Sequence, residues 1–281
     1  MQVFLDMHTL IFVSGVTSMF LFVCMVYIRK KQKTYDGFLQ WIFSSLINAA
    51  GMILLSQRGV WPDFLTVVIA NTCLILSIVL INVGLSRFAG LQPRTKLYLL
   101  SMLLFLAAFW GFTYALPSLT FRIIVFSGFQ SALSVIAAIL IYRDLPRVLP
   151  QKNYGLFWFC ILFAAWPVWR IISSFVISEK PVDLMKSGFF HQLTFLGSIE
   201  AYIIMNIGLI IINAQRVEQE MVNVKNEIKT ITDFIPICAT CKKIRDDKGS
   251  WNQLEVYLSK HADIEFSHGI CPECMQKSYP K

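Results

Sequence analysis

Residues 193–212 read LTFLGSIEAYIIMNIGLIII, and the chain then runs through NAQRVEQEMVNVKNEIKTITDF with no Pro or Gly before Pro236. The first part is 20 residues long and carries one charge, Glu200. At about 1.5 Å per residue it crosses a hydrocarbon core of roughly 30 Å. The second part is polar, with Val217, Met221, Val224, Ile228, Ile231 and Ile235 separated alternately by four and three residues. That is an a/d heptad seam, the pattern two helices need to keep one face against each other. The stretch predicts one continuous helix, membrane-spanning at its start and a dimeric stalk over 214–235. A single amphipathic helix lying on its own C-terminal module would use the same stripe.

Six more apolar segments precede it: Leu10–Ile28, Gly37–Leu55, Phe64–Ser86, Leu97–Leu116, Ile123–Tyr142 and Leu156–Ile177. All are of membrane-helix length and the connections are short. The chain is 56% hydrophobic and 15% charged, with a mean hydropathy of +0.60, which a soluble domain rarely shows. No basic n-region or small-residue cleavage site marks the first apolar run as a signal peptide. The expected fold is an all-α membrane protein: a seven-helix bundle over 1–213, a cytoplasmic helical stalk over 214–235, and a small α+β zinc-binding-like module over 236–281.

The net charge of +8 invites a nucleic-acid reading, but from Arg216 onward ten Lys/Arg balance ten Asp/Glu. The excess lies between the spans. Loops after the first, third and fifth spans carry Arg29, Lys30, Lys31, Lys33, Arg87, Arg94, Lys96, Arg143, Arg147 and Lys152, whereas the opposite side offers Arg58, Arg122, Lys180 and Lys186. Ten against four places the first set in the cytoplasm, with the N-terminus outside and the tail inside. The partner this charge implies is the lipid bilayer, not DNA or RNA.

Two charges lie deeper. Arg170 and Glu200 each sit about 10 Å below the outer ends of neighbouring helices six and seven. An isolated charge there costs roughly 2.5–3.5 kcal/mol, so an Arg170–Glu200 pair is expected. Pro167, in Trp166-Pro167-Val168-Trp169, kinks helix six beside it. Arg170, Glu200, Trp166 and Pro167 are therefore the candidate sensing site, with a structural ion pair as the plain alternative. Asn48, Asn71, Asn82, Gln130 and Asn206 read as hydrogen-bond partners between helices.

Of seven cysteines, Cys24, Cys73 and Cys160 stand singly in apolar segments as small hydrophobes. Cys238, Cys241, Cys271 and Cys274 form two C-x-x-C pairs separated by 29 residues. Four thiolates in two tight turns suit Zn²⁺, which accepts tetrahedral sulfur ligation without redox chemistry. His268 and His261 lie between the pairs as alternate ligands. A redox pair would sit beside a βαβ pattern, absent here, and disulfides would need an oxidising compartment. Within the gap, Lys242–Ile244 and Trp251 can flank a turn at Asp246-Asp247-Lys248-Gly249, and Asn252 and Glu255 have capping-box spacing for a short helix.

The string PICATCKKIRDDKGSWNQLEVYLSKH, followed by FSHGICPEC, resembles a cysteine-rich module at the C-termini of many bacterial signalling proteins, behind PAS or response-regulator domains. The match covers Pro236 to Pro280; Ser250 stands where that module usually has Tyr. The resemblance implies a bacterial signalling context and supplies no activity. The seven spans running into a stalk are similar in architecture to the sensory halves of bacterial kinases and cyclases. No phosphoacceptor helix, nucleotide-binding glycines or cyclase signature is present. The expectation is therefore a non-enzymatic sensor in the bacterial inner membrane, engaging a cytoplasmic signalling protein. A small-solute transporter and a cysteine-based redox protein are the alternatives.

Overall fold

The computed structural model describes residues 6–149, 152–176, 189–232, 236–246, 249–261, 267 and 269–278. They form two compact units, Met1–Glu220 and Met221–Lys281. The first contains α1 (Met7–Lys31), α2 (Phe38–Ser56), α3 (Ala70–Phe88), α4 (Thr95–Trp110), α5 (Leu119–Ile139) and α6 (Tyr154–Val176). Helix α7 runs unbroken from Phe189 to Thr232 over 44 residues. Wide π-helical turns extend three of these helices, at Phe64–Ile69, Gly111–Ala115 and Leu140–Asp144.

Seven of the described helices are long and apolar enough to cross a membrane. Their surface agrees with that. Leu99 and Leu103 on α4 are each 65% exposed, in company with Leu97, Leu100 and Leu104. Leucines that water would penalise by about 1.5–3 kcal/mol apiece are at no disadvantage against acyl chains. The chain is a multi-pass membrane protein.

Helix ends follow local chemistry. Asp6 caps α1, its carboxylate accepting from the Thr9 backbone N–H at 3.0 Å, and Arg29, Lys30 and Lys31 complement the dipole in the last turn. Ser118 caps α5 through the Phe121 N–H. Helix α2 packs between α1 and α3, and α5 packs on α6 and α3. Close approach depends on glycine. A Cβ on Gly84 would meet the Trp41 indole nitrogen at 2.3 Å, where Trp41 seals a core with Phe38 and Phe88.

At the same end of the bundle Asp144 is fully buried. Arg143 and Arg147 each reach its carboxylate at 3.1 Å. Two guanidiniums with exposed bodies neutralise a carboxylate whose burial alone would be prohibitive.

The second unit contains β1 (Ile244–Arg245) paired antiparallel with β2 (Trp251–Asn252), then α8 (Leu254–His261) and α9 (Pro272–Ser278). The α+β content agrees with the expectation, but the capping box is replaced. Helix α8 takes its first bond from Tyr257 N–H to the Gln253 carbonyl, so it starts beyond Asn252. Asn252 instead donates to the Asp246 carboxylate at 2.7 Å, closing the hairpin turn. Gly249, at φ 83°, takes the left-handed position this turn requires. Among the described residues of this unit only Ile244 is fully buried.

Candidate functional site

Four places in the chain carry chemistry. In the first, the Cys238 and Cys241 turn is built by the backbone. Cys238 N–H donates to the Lys243 carbonyl at 2.8 Å, and Lys242 N–H returns to the Cys238 carbonyl at 3.0 Å. Lys242 takes the left-handed conformation at φ 60°, an unfavourable one for a side-chain-bearing residue, to complete the turn. Backbone N–H groups of Cys241 and Thr240 point at the Cys238 sulfur and hold its thiol below the ordinary value. Cys271 opens α9 ahead of Pro272 at the first helical position. The Cys274 N–H and thiol lower it in the same way.

One cysteine of each pair, Cys238 and Cys271, is thus biased toward thiolate, the form that ligates metal. Among the described residues no three His, Cys, Asp or Glu side chains converge into a metal-binding cluster, so the structure brings together the members of each pair but not the two pairs. His268 and the His261 side chain lie outside the described residues. The donor set still fits Zn²⁺. Among the described residues of this unit Ile244 alone is fully buried, and tetrahedral ligation by Cys238, Cys241, Cys271 and Cys274 would supply a constraint on the fold that so small a core does not.

The second place is the contact between α6 and α7. Pro167 is buried within a continuous α6. Trp166 lies on Gly197, where an added Cβ would meet the ring at 2.8 Å. Helix seven thereby approaches helix six one turn before Glu200. Arg170 and Glu200 are not brought together. Glu200 is exposed on α7 and forms no hydrogen bond or ion pair among the described residues. Arg170 instead lines a small cavity together with Arg58, Arg122 and Asn71.

The third place is a polar layer in the bundle centre. The Tyr202 hydroxyl on α7 meets Ser44 Oγ on α2 at 3.2 Å, and Ser44 donates to the Ser77 carbonyl on α3 at 2.8 Å. Ser45 donates to Asn206 Oδ1 at 3.0 Å, while Asn48 donates to Ser18 on α1 at 2.8 Å. Asn48 and Asn206 thus join helices as anticipated, whereas Tyr202 and the serines were not singled out in the sequence. Every member is buried, so the layer aligns α7 against α1, α2 and α3.

The fourth place is a clamp at the end of the first unit. The Arg216 guanidinium stands 4.0 Å from the Tyr35 ring centre and 5.0 Å from that of Phe88, and donates to the Phe88 carbonyl at 2.7 Å. The Tyr35 hydroxyl donates to the Glu220 carboxylate at 2.5 Å, and Lys33 pairs with its other oxygen. Asn213 ties the same loop by accepting from Tyr35 N–H and donating to the Lys33 carbonyl. Burial, then the hydrogen bond to Glu220, pushes the Tyr35 phenol up to about 12. The short connection between α1 and α2 therefore grips α7 over two turns beyond Ile212.

Comparison of the chain with protein-family models, curated proteins and solved structures gave no match. Fold and sites define a multi-pass helical membrane protein whose last spanning helix continues past the bundle through a clamp.

Proposed function

We propose that the protein is a membrane signal transducer of the bacterial inner membrane, with its N-terminus outside and its cysteine-rich tail in the cytoplasm. The observation that carries this reading is the unbroken α7. One helix holds Tyr202 and Asn206 of the polar layer, Arg216 and Glu220 of the clamp, and the start of the heptad seam. A change in bundle packing that shifts α7 has a rigid element to act on and a defined grip to release. The basic loops set the orientation.

In this reading the seam from Val217 to Ile235 pairs two copies, and Met221 and Val224 are exposed on it at 64% and 48%. The four cysteines hold a structural Zn²⁺ whose part is to fold the tail into a surface for a cytoplasmic signalling protein. No catalytic step is assigned to the chain. Arg170, Trp166 and Pro167 lie on the input side of the relay, and Glu200 lies on α7 itself.

The test uses a photo-crosslinking amino acid at Val224 in full-length protein in nanodiscs. Dimeric crosslinks from Val224, changed at least about threefold in rate by Arg216→Ala, are expected. Crosslinks that form at the same rate with and without the clamp would remove the relay.

A further inference from the structure

A second cavity lies where four of the spanning helices meet, and it adjoins the polar layer through Tyr202. Its wall is apolar, with Ile81 from α3, Ala137 from α5, Phe163 from α6 and Met205 from α7. No charged side chain is among the described residues that line it. Three of its four polar side chains are committed elsewhere. Ser134 donates to the Gln130 carbonyl at 2.8 Å, the Tyr202 hydroxyl meets Ser44, and the Cys160 thiol is directed at the Met205 sulfur at 3.9 Å. Asn82 is different. Its amide nitrogen donates to the Ile78 carbonyl at 3.0 Å and to the Leu133 carbonyl at 3.2 Å, which uses both N–H bonds and fixes which end of the group is oxygen. That oxygen, Oδ1, is fully buried and has no hydrogen-bond partner among the described residues. An acceptor stranded in a membrane interior costs stability that only a donor recovers.

We infer that this cavity binds a small uncharged molecule carrying one hydroxyl on an apolar body, a phenol or short alcohol. Asn82 Oδ1 accepts the hydrogen bond of the hydroxyl, and Ile81, Ala137, Phe163 and Met205 enclose the body. An ion would enter a space whose described lining offers it no opposite charge. A water molecule needs about two to four polar partners, and the lining side chains hold out one free acceptor. A hydrocarbon fits the wall but leaves Oδ1 stranded. A hydroxyl on an apolar body meets both demands, and such molecules reach the site through the bilayer. Tyr202 and Met205 lie on α7, so occupancy bears on the helix that passes through the clamp. The binding stands on the cavity alone, and its use as a signal rests on the relay proposed above.

The test is a fluorine NMR titration of the full-length chain in phosphatidylcholine nanodiscs with para-fluorophenol, with empty discs as the partition background. The comparator is para-fluoroanisole, in which a methyl group replaces the hydroxyl proton. Saturable binding of the phenol is expected, at least about fivefold tighter than that of the anisole, since the ether has nothing to donate to Oδ1. Asn82→Leu removes the acceptor at nearly constant volume and should weaken the phenol by about fivefold or more without weakening the anisole. Should that variant not fold, Ala137→Leu fills the space from α5 and should abolish saturable binding of the phenol. No saturable binding, or a phenol affinity unchanged by Asn82→Leu or by Ala137→Leu in its place, overturns the site. Equal affinity for phenol and anisole overturns it too, and means that water already serves Oδ1. Phenol binding that meets these expectations but leaves Val224 crosslinking unchanged keeps the site and defeats only its use by the relay.

Discussion

Arg216→Ala should free α7 from the bundle more than any other single change at the clamp. The side chain donates to the Phe88 carbonyl at 2.7 Å and covers the Tyr35 and Phe88 rings. A charged hydrogen bond contributes about 1.5–3 kcal/mol and a cation–π contact about 0.5–1 at a partly exposed site. Allowing for overlap, the loss is ~2–4 kcal/mol, a shift of about 30- to 1,000-fold toward the released helix. The Lys33–Glu220 pair is 55% and 44% exposed and contributes under about 1 kcal/mol after screening. Tyr35→Phe removes one hydrogen bond to a carboxylate and falls between. The expected order is Arg216→Ala, then Tyr35→Phe, then Lys33→Ala. Hydrogen exchange of amides 213–222 in nanodiscs reads it directly. Alkali should act on the same contact. The Tyr35 phenol titrates near 12 when clamped against 10.0 for the free group, so its contribution is intact below about pH 10 and lost as pH rises toward 12. A larger effect from Lys33→Ala than from Arg216→Ala, or no change in either, would refute the clamp.

Three other outcomes follow from packing and charge. Gly197→Val should lower the thermal midpoint, because its Cβ would meet Trp166 at 2.8 Å and overpacking costs about 1–3 kcal/mol; a wild-type midpoint would contradict the contact. Replacing both Arg143 and Arg147 by Ala should destabilise more than Asp144→Ala, by roughly 3–5 kcal/mol, since it strands a buried carboxylate whereas the reverse leaves two largely exposed cations; equal losses in denaturation would refute this. A double-mutant cycle between Arg170 and Glu200 should give a coupling below about 0.5 kcal/mol, and a larger value would mean the two charges meet.

The seven spans were legible because length and hydropathy are properties of contiguous residues. The tail hairpin was legible too, from Asp246 through Gly249 to Trp251, since turn chemistry is local. Asn252 was misjudged because a short polar side chain serves a helix cap or a turn equally well, and the turn won through its bond to Asp246. Depth arguments placed Arg170 and Glu200 at one height but say nothing of azimuth, and each residue turns a helix by about 100°. Arg170 faces the cavity with Arg122, and Glu200 lies on the exposed side of α7. The clamp was invisible because Lys33, Tyr35, Phe88, Arg216 and Glu220 meet only after the bundle closes. Tyr202 and the serines gave no signal, since both residue types are common in membrane helices.

The central claim is that α7 carries a change in the bundle to the tail, and it is tested most directly by hydrogen exchange of the tail in the full-length, zinc-loaded protein. Releasing the clamp with Arg216→Ala should alter protection of amides 237–257 by about threefold or more, while 213–222 open as above. Release confined to 213–222, with the tail amides exchanging as in the unaltered protein, would contradict it.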